Sequence, residues 1–350
     1  MPLSPPPLRL TIDGDALMSN WRWLRARGGR AVCGAAVKAD GYGLGAREVV
    51  TALGNVGCRD FYVATWGEAE DLMPYGWDVG FSVLHGVREE DMEAALTIPA
   101  RPVLNTPAQV ARWKPTGRPC DVMVDTGMNR LGLTPAEATS GLLDDLGIDT
   151  LMSHLACADE PDSAMNADQR TRFATVAETV RAKRYSLANS AGICLGPDYA
   201  YDLTRPGLAL YGGIPVPADR AQQEGLQQVA HLEAQVLTVR MVRAGESVGY
   251  NATYRAKQDE RVAILNLGYA DGYGRGFSGA IGAVRHGDTP LDVIGRVSMD
   301  LIAVRLGDRS VAEGDWLYAD FDLPKASAQS GRSQYELLTG LGARFERRWL

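Results

Sequence analysis

Short apolar runs alternate with amphipathic segments over the first 215 residues of the chain. Runs such as Ala31–Val37 and Asp121–Val124 are apolar on both faces, a pattern typical of parallel strands covered on both sides. Eight strands are predicted to begin near Arg30, Phe61, Phe81, Arg101, Asp121, Thr150, Tyr185 and Tyr201. Helices are predicted between them at Ala46–Leu53, Glu68–Met73, Glu89–Leu96, Pro107–Lys114, Pro135–Leu146 and Asp168–Arg184. This order predicts an α/β fold with a closed (β/α)8 TIM-type barrel, and a doubly wound open sheet is the alternative.

The pattern changes after Arg220, where the polar segment Ala221–Gly225 is expected to link two domains. Strand-like runs separated by turn residues follow it. They are His231–Val242, Arg261–Leu267, Gly282–His286, Leu291–Val297, Leu301–Leu306 and Trp316–Asp320, with a short helix expected at Tyr335–Leu341. We therefore predict a barrel over residues 8–220 and a mostly-β domain over residues 221–350.

Composition excludes several classes of function. A length of 350 residues allows two domains that each bury a core, and the net charge of −7 gives no basic excess for nucleic acid or anionic membranes. No run approaches the roughly 18 apolar residues of a membrane span. The five cysteines are widely separated and the four histidines form no H-x-x-x-H pair, so neither disulfides nor a metal site is expected. This cysteine usage favours the cytoplasm.

Candidate chemistry lies after the predicted strands, because the carboxyl ends of barrel strands form the active-site face. Lys38, Arg130, His154 and Arg205 follow the first, fifth, sixth and eighth strands. A lysine that closes an apolar strand is partly desolvated, which lowers the pKa of its amine and lets it form a Schiff base. A lysine that merely extends from a strand end to water is the alternative for Lys38.

The loops after the seventh and eighth strands carry Ser190 and the pair Gly207-Leu208. A hydroxyl and glycine-flanked N–H groups suit phosphate oxygens, although ordinary turn chemistry accounts for these residues equally well. A Schiff-base lysine beside a phosphate site indicates pyridoxal phosphate or a phosphorylated carbonyl substrate.

Six segments resemble, in chain order, motifs of the alanine racemases. They are Val37–Gly45, Asp125–Gly132, Arg205–Gly212, Val248–Tyr254, Gly268–Gly272 and Gly295–Asp300. The first resembles the pyridoxal-phosphate attachment motif of that family and the fourth its catalytic-tyrosine segment. The resemblance implies a cytoplasmic isomerase that interconverts L-alanine and D-alanine for peptidoglycan, using pyridoxal 5'-phosphate. It also implies a barrel followed by a β domain, in a head-to-tail homodimer whose β domains complete each other's active sites.

The resemblance further implies roles for single residues. Lys38 would bind the cofactor covalently and exchange the Cα proton on one face of the substrate, and Tyr250 of the other subunit would do so on the opposite face. The other cofactor-binding residues would be Tyr42, His154, Ser190, Arg205, Gly207, Leu208 and Tyr335. Arg130 and Met299 would bind the substrate, and Tyr269 and Arg275 would line its route to the site.

One position departs from the family pattern. Many members carry a carbamylated lysine seven residues before the position of Arg130, where this chain has Met123. Methionine forms no carbamate, so either an anion such as chloride or another group must orient Arg130. We expect activity that does not depend on bicarbonate. A large loss of activity on dialysis that bicarbonate restores would contradict this expectation.

Three other functions remain open on these residues. The first is another pyridoxal-phosphate enzyme of the same fold, such as a basic amino-acid decarboxylase, which places an acidic residue where this chain has Arg205, or a broad-specificity racemase, which is typically exported. The second is a non-catalytic pyridoxal-phosphate-binding protein, which generally lacks the β domain. The third is a lysine-dependent aldolase, which would need neither Arg205 nor Tyr250.

Overall fold

The computed structural model describes residues 5–75, 78–217 and 223–350. These residues form two compact units: the barrel unit, residues 16–227, and the β unit, residues 5–15 with 228–350. The predicted domain boundary at residues 220–221 lies outside the described residues. Within the described ranges, no helix combines the length and the apolar character needed to cross a membrane.

The first strand, β1 (Leu8–Ile12), lies in the β unit, whereas the sequence led us to place residues 8–12 in the barrel domain. It pairs antiparallel with residues 230–234 and parallel with residues 346–349. Leu8, Leu10 and Ile12 are buried, which is typical of a strand with one face in the core. The start of the barrel domain is therefore corrected, because a short N-terminal segment pairs with strands near the other end of the chain.

The strands of the barrel unit follow the predicted order. They are β2 (Val32–Cys33), β3 (Ala35–Ala36), β4 (Asp60–Val63), β5 (Gly80–Val83), β6 (Ala100–Leu104), β7 (Cys120–Met123), β8 (Ile148–Met152), β9 (Arg184–Ser186) and β10 (Leu203–Thr204). Strands β3 to β9 form one parallel sheet in sequential order, and β10 pairs with β2. The helices are α1 (Gly14–Arg27), α2 (Lys38–Tyr42), α3 (Ala46–Asn55), α4 (Trp66–Leu72), α5 (Met92–Thr97), α6 (Pro107–Trp113), α7 (Pro135–Ala138), α8 (Ala164–Thr179) and α9 (Ser190–Cys194).

Backbone hydrogen bonds close this sheet into a ring. The Val32 N–H donates to the Asp202 carbonyl at 2.8 Å, and the Arg205 N–H donates to the Ala188 carbonyl at 2.9 Å. Strands β2 and β3 together occupy one strand position in the ring, and we call each such position a stave. The described residues thus form eight parallel staves. The predicted (β/α)8 barrel is confirmed, and the open sheet is wrong.

The predicted helix Pro135–Leu146 is much shorter in the structure, where α7 ends at Ala138. The Thr139 hydroxyl donates to the Pro135 carbonyl at 2.9 Å, and the Ser140 hydroxyl donates to the Glu137 carbonyl at 2.8 Å. Such side-chain bonds compete with helical backbone bonds and turn the chain.

Charged side chains fill the barrel interior at the amino ends of its strands. Arg184, expected at the end of a helix, is the first residue of β9, and its guanidinium pairs with Asp60 at 2.7 Å and Asp149 at 2.8 Å. Arg101 lies 3.5 Å from Asp121 and 3.8 Å from Asp60. Asp121 is fully buried. Because each of these groups is the first or second residue of its strand, they lie at the end of the barrel opposite the loops that carry the candidate site.

The β unit confirms the predicted mostly-β domain. Its further strands are β11 (Ala230–Val242), β12 (Ser247–Val248), β13 (Tyr254–Arg255), β14 (Glu260–Leu265), β15 (Val284–His286), β16 (Thr289–Ile294), β17 (Ile302–Arg305), β18 (Trp316–Ala319) and β19 (Glu346–Trp349), with helices α10 (Leu323–Ser330) and α11 (Gln334–Thr339). The order β14-β17-β16-β15-β18-β11, with β11 pairing back to β14, closes a second barrel of antiparallel strands among the described residues. The long strand β11 shifts register between Val236 and Thr238, which lets it pair with different neighbours along its length.

Candidate active site

Lys38 follows the first stave and begins α2, which is an unusual turn. Residues 39–43 all have positive φ, with values of 54°, 52°, 61°, 57° and 85°, so the turn is left-handed. For Ala39, Asp40 and Tyr42 this conformation costs roughly 1 kcal/mol or more each. The sequence signalled the glycines of this segment but not the left-handed turn, which the surrounding structure must hold in place.

Three contacts hold the left-handed turn. The Ala39 N–H donates to Glu68 Oε1 at 2.8 Å. The Asp40 carboxylate accepts the first N–H of α3 at 2.9 Å. The Tyr42 ring stacks on Tyr211, with ring centres 4.6 Å apart. The turn is thus fixed at its start, middle and end.

Ser190, Gly207 and Tyr42 come together beyond the last two strands. Ser190 Oγ accepts the N–H of Gly207 at 2.9 Å and of Ala209 at 3.3 Å, which leaves the hydroxyl proton free to be donated elsewhere. A Cβ at Gly207 would lie 2.1 Å from the Tyr42 hydroxyl, so no larger residue fits here. Leu208 follows Gly207 and is buried.

His154 lies among three cations at the carboxyl ends of the strands. Burial, assisted by the charges of Arg205, Arg130 and Lys38, lowers the pKa of His154 to about 3. The imidazole is therefore neutral at any physiological pH. Burial and the Arg130 charge also lower the pKa of the Lys38 amine, and the Glu68 carboxylate opposes that effect. The structure thus brings together the basic residues that the sequence singled out.

Arg205 is buried, and burial lowers its pKa. Its guanidinium donates to the carbonyls of Ser153 and Leu187 and lies 5.9 Å from the centre of the Tyr62 ring. These contacts fix the direction of the guanidinium between the ends of neighbouring strands.

The loop that carries Arg130 is organised by Asp125. The Asp125 carboxylate accepts the N–H groups of Gly127 at 2.8 Å and of Asn129 and Arg130 at 3.1 Å each. Met123 is the last residue of β7 and is buried. The sequence missed this role of Asp125, although the residue begins one of the six quoted segments.

In the β unit, four predicted site residues line one cleft of about 340 Å³. They are Tyr250, Tyr269, Arg275 and Met299. The Arg275 guanidinium lies 5.2 Å from the centre of the Tyr269 ring. Tyr250 and Met299 are 67% and 54% exposed, so both side chains remain available to a ligand or a second protein.

Two loops form the floor of this cleft. The N–H groups of Tyr269 and Ala270 donate to the carbonyls of Ser298 and Met299 at 3.1 and 3.0 Å. A Cβ at Gly268 would lie 2.2 Å from the Met299 carbonyl oxygen, so the loops approach too closely for any larger residue.

The sequence missed Arg344, which ties the two loops together. Its guanidinium donates to both oxygens of the buried Asp271 at 2.6 and 2.8 Å and to Asp300 at 2.7 Å. No motif marks this arginine, because its partners lie far away in the sequence. Tyr335 lies on α11 and is 48% exposed.

Comparison with known proteins supports the resemblance inferred from the six sequence segments. Residues 12–215 match the family model described as the N-terminal domain of alanine racemase, and residues 229–349 match its C-terminal domain. The alanine racemase of Rhodospirillum rubrum is 41% identical over 360 residues, covering 97% of this chain and 95% of that protein. The biosynthetic alanine racemase of Agrobacterium fabrum is 39% identical over 373 residues, covering 98% of this chain and 94% of that protein.

Solved structures agree with these relatives. The crystal structure of alanine racemase from Bartonella henselae, with covalently bound pyridoxal phosphate, is similar at a TM-score of 0.91 and 33% identity, covering 98% of this chain and 99% of that one. The crystal structure of biosynthetic alanine racemase from Pseudomonas aeruginosa has a TM-score of 0.89 and 33% identity, covering 99% of this chain and 100% of that one. Since two successive family models cover almost its whole length, the chain belongs to the alanine racemase family.

Proposed function

We propose that the protein is a pyridoxal-phosphate-dependent racemase that interconverts L-alanine and D-alanine and so provides D-alanine for peptidoglycan. The observation that carries the proposal is the cluster of Lys38, Arg130 and Arg205 around a neutral His154 at the carboxyl ends of the barrel strands. The presence of the β unit favours an enzyme over a pyridoxal-phosphate-binding protein built from a barrel alone.

The barrel unit fits pyridoxal 5'-phosphate. The hydroxyls of Tyr42 and Ser190 and the Leu208 N–H offer neutral donors to phosphate oxygens. Gly207 contributes its backbone, since its N–H holds Ser190 Oγ and its missing Cβ leaves room for the Tyr42 hydroxyl. Lys38 would bind the aldehyde carbon, since its lowered pKa increases the unprotonated fraction of the amine. We assign a further phosphate contact to the hydroxyl of Tyr335.

Pyridoxal phosphate, when bound, withdraws electrons from the amino acid and so acidifies its Cα–H bond. Lys38 Nζ, which the substrate amine would displace from the cofactor, is then a free amine that removes or returns the Cα proton on one face and serves the D-enantiomer. Tyr250 Oη does the same on the opposite face and serves the L-enantiomer. Two bases on opposite faces invert the configuration, whereas a single base returns the proton to the face it left.

Arg205 favours racemisation over competing reactions. Its guanidinium would lie against the pyridine nitrogen, where it donates and cannot accept, so this nitrogen would stay unprotonated and the cofactor would withdraw electrons less strongly. Return of the proton to Cα would then be favoured over side reactions. The neutral His154 would lie beside the ring and orient Arg205.

We further propose a head-to-tail homodimer in which the cleft of one subunit faces the barrel mouth of the other. The exposure of Tyr250 and Met299 supports this arrangement, because both would be covered only on assembly. Arg130 and the Met299 backbone bind the substrate, and Tyr269 and Arg275 line its route. We place the reaction in the cytoplasm, consistent with five cysteines that form no disulfide bond among the described residues.

The test starts from the purified protein. It should contain a chromophore that borohydride fixes to Lys38, and the optical rotation of L-alanine should decay in its presence, with L-serine compared separately. Tyr250→Phe should lower the rate from L-alanine by about 10²-fold or more while the chromophore is retained. Tyr318→Phe, at another exposed tyrosine of the β unit, is the matched control and should be fully active. Absence of a chromophore on Lys38, or of any decay, overturns the proposal.

Mixed dimers test the subunit arrangement. Alone, Lys38→Ala is expected to be inactive and Tyr250→Phe to keep about 1% or less of the rate from L-alanine. After dissociation and reassociation of a mixture, activity should return, because one site in each mixed dimer receives both intact residues. Failure to recover activity in demonstrated mixed dimers would place both bases in the same subunit.

A further inference from the structure

Glu68 makes a contact that its local role does not require. It is the third residue of α4, and its Oε2 accepts the N–H groups of Ala64 at 2.6 Å and Thr65 at 3.4 Å. Thr65 Oγ in return accepts the Glu68 N–H at 3.3 Å, which completes a capping box. The second oxygen, Oε1, accepts the N–H of Ala39 at 2.8 Å, in the loop after the neighbouring stave.

Glu137 shows what the capping role alone requires. It occupies the same position in α7, where its Oε2 accepts the Thr134 N–H at 2.8 Å and the Thr134 hydroxyl at 2.9 Å. Thr134 Oγ accepts the Glu137 N–H at 3.2 Å. One carboxylate oxygen is therefore sufficient for a capping box in this barrel, and the bond from Glu68 to Ala39 is additional.

Ala39 is the residue directly after Lys38 and the first left-handed residue of the turn. On the other side of Lys38, the Val37 carbonyl accepts the Gly41 N–H at 2.8 Å, and the Val37 N–H donates to the Tyr62 carbonyl at 2.9 Å. The peptide groups on both sides of Lys38 are thus held by hydrogen bonds, one within the turn and one to Glu68. Together these bonds fix the direction in which the Lys38 side chain leaves the backbone.

We propose that Glu68 is the positioning residue for Lys38, since its carboxylate anchors the Ala39 peptide and so aims the lysine amine at the cofactor. This inference rests on the proposed function, in which Lys38 binds pyridoxal phosphate. Glu68 acts through the backbone and touches neither substrate nor cofactor.

The charge of Glu68 adds a second, measurable effect. Two charges act on the Lys38 amine from the elements around it, Arg130 after β7 and Glu68 on α4, and His154 after β8 lies close to it. His154 is neutral, so Glu68 supplies the negative charge that raises the pKa of Lys38 against burial and Arg130. Removal of this charge should lower the pKa further, and the amine would then react with aldehydes at lower pH.

The experiment compares Glu68→Gln and Glu68→Ala with Thr65→Ala, which removes the same helix cap without touching Ala39, and with Glu137→Gln. Each variant is stripped of cofactor and titrated with pyridoxal phosphate. The dissociation constant, the fraction fixed to Lys38 by borohydride, and the pH midpoint of the attachment rate are measured. Thermal unfolding and the content of helix are recorded to show that each variant is folded.

We expect both Glu68 variants to bind pyridoxal phosphate about tenfold more weakly than the wild type, the effect of one lost charge-assisted hydrogen bond. Their attachment midpoint should move to lower pH. Thr65→Ala and Glu137→Gln should keep both wild-type values. The inference is overturned if Glu68→Gln has the same dissociation constant and attachment midpoint as Glu137→Gln. It is also overturned if Thr65→Ala weakens binding as much as Glu68→Gln does. If the wild type itself fixes no cofactor on Lys38, the proposed function fails first.

Discussion

At the scale of single residues, two small details control the candidate phosphate site. The Tyr42 hydroxyl occupies the space that a side chain at Gly207 would fill, and Ser190 binds the backbone on the same side. Gly207 has φ of −131° and is not left-handed, and its close contact with the Tyr42 hydroxyl is what excludes larger residues here.

Gly207→Ala should therefore lower stability and cofactor affinity together. The added methyl must displace the Tyr42 ring from Tyr211, and overpacking of this kind costs about 1–3 kcal/mol. Gly54→Ala is the matched control, because no atom lies within 4 Å of a Cβ at this position on α3. The control should be neutral or slightly more stable. Urea unfolding and pyridoxal-phosphate titration of both variants check this prediction. Equal free energies of unfolding and equal cofactor affinities for the two variants would contradict it.

His154 gives a prediction about pH. Its pKa is about 3 in the folded protein, whereas an unfolded histidine binds a proton near pH 6.5. The unfolded state therefore binds more protons below about pH 6.5, so stability falls with decreasing pH until about pH 3, by at most about 1.4 kcal/mol per pH unit. His154→Gln should remove this contribution and make the dependence shallower. Urea unfolding between about pH 4 and 7 measures it, and identical slopes for both proteins would refute the assignment.

At the scale of elements, the turn after Lys38 has the opposite hand from the helices around it. Its start, middle and end are held by Glu68, the Asp40 cap and the Tyr42–Tyr211 stack. Strain that is held by several contacts at once is typical of functional sites. Here the strained turn sets the position of the amine that would bind the cofactor.

Replacement of alanine by glycine usually lowers the stability of a helix, and in the left-handed turn it should not. Ala39→Gly relieves a left-handed alanine and should leave the free energy of unfolding unchanged or raise it by up to about 1 kcal/mol. Ala52→Gly, in the right-handed helix α3, should lower it by about 1 kcal/mol. Urea unfolding of the two variants is the measurement. A loss at Ala39 equal to that at Ala52 would mean that the turn is right-handed in solution.

At the scale of the whole molecule, the barrel unit separates its charges between two ends. Lysine, arginine and a neutral histidine occupy the carboxyl ends of the strands, and an ion-pair network of Asp60, Arg101, Asp121, Asp149 and Arg184 occupies the amino ends. Burial raises the pKa of Asp121, and Arg101 opposes this effect. These paired side chains fill the barrel interior at the amino ends of the strands, a space that would otherwise need large apolar side chains.

Loss of one partner from this network should be costly. Asp121→Asn keeps the shape of the side chain but leaves Arg101 short of a countercharge, and breaking a buried pair costs about 3–5 kcal/mol. Asp198→Asn breaks the exposed pair with Arg170, whose atoms lie 2.7 Å apart, and should cost less than about 1 kcal/mol. Urea unfolding at neutral pH compares them. Similar small losses would show that the network contributes little to stability.

The sequence by itself determined the type and order of most elements, the family and the main candidate residues. Local periodicity was enough for this, because a parallel strand buried on both faces and an amphipathic helix each carry their own pattern. The segment Val37–Gly45 marked Lys38 because a single short loop carries it. The end of α7 was predicted less well, because the side chains of Thr139 and Ser140 bond to the backbone there.

Tertiary structure alone decided the contacts between distant segments. The pairing of β1 with β11 and β19, the anchoring of Ala39 by Glu68, and the bonds of Arg344 each join residues that no local pattern relates. The left-handed turn belongs to the same group, since alanine, aspartate and tyrosine have no intrinsic preference for it. The physical reason is that closure of each barrel selects which neighbours meet, and closure is a property of the whole chain rather than of any segment within it.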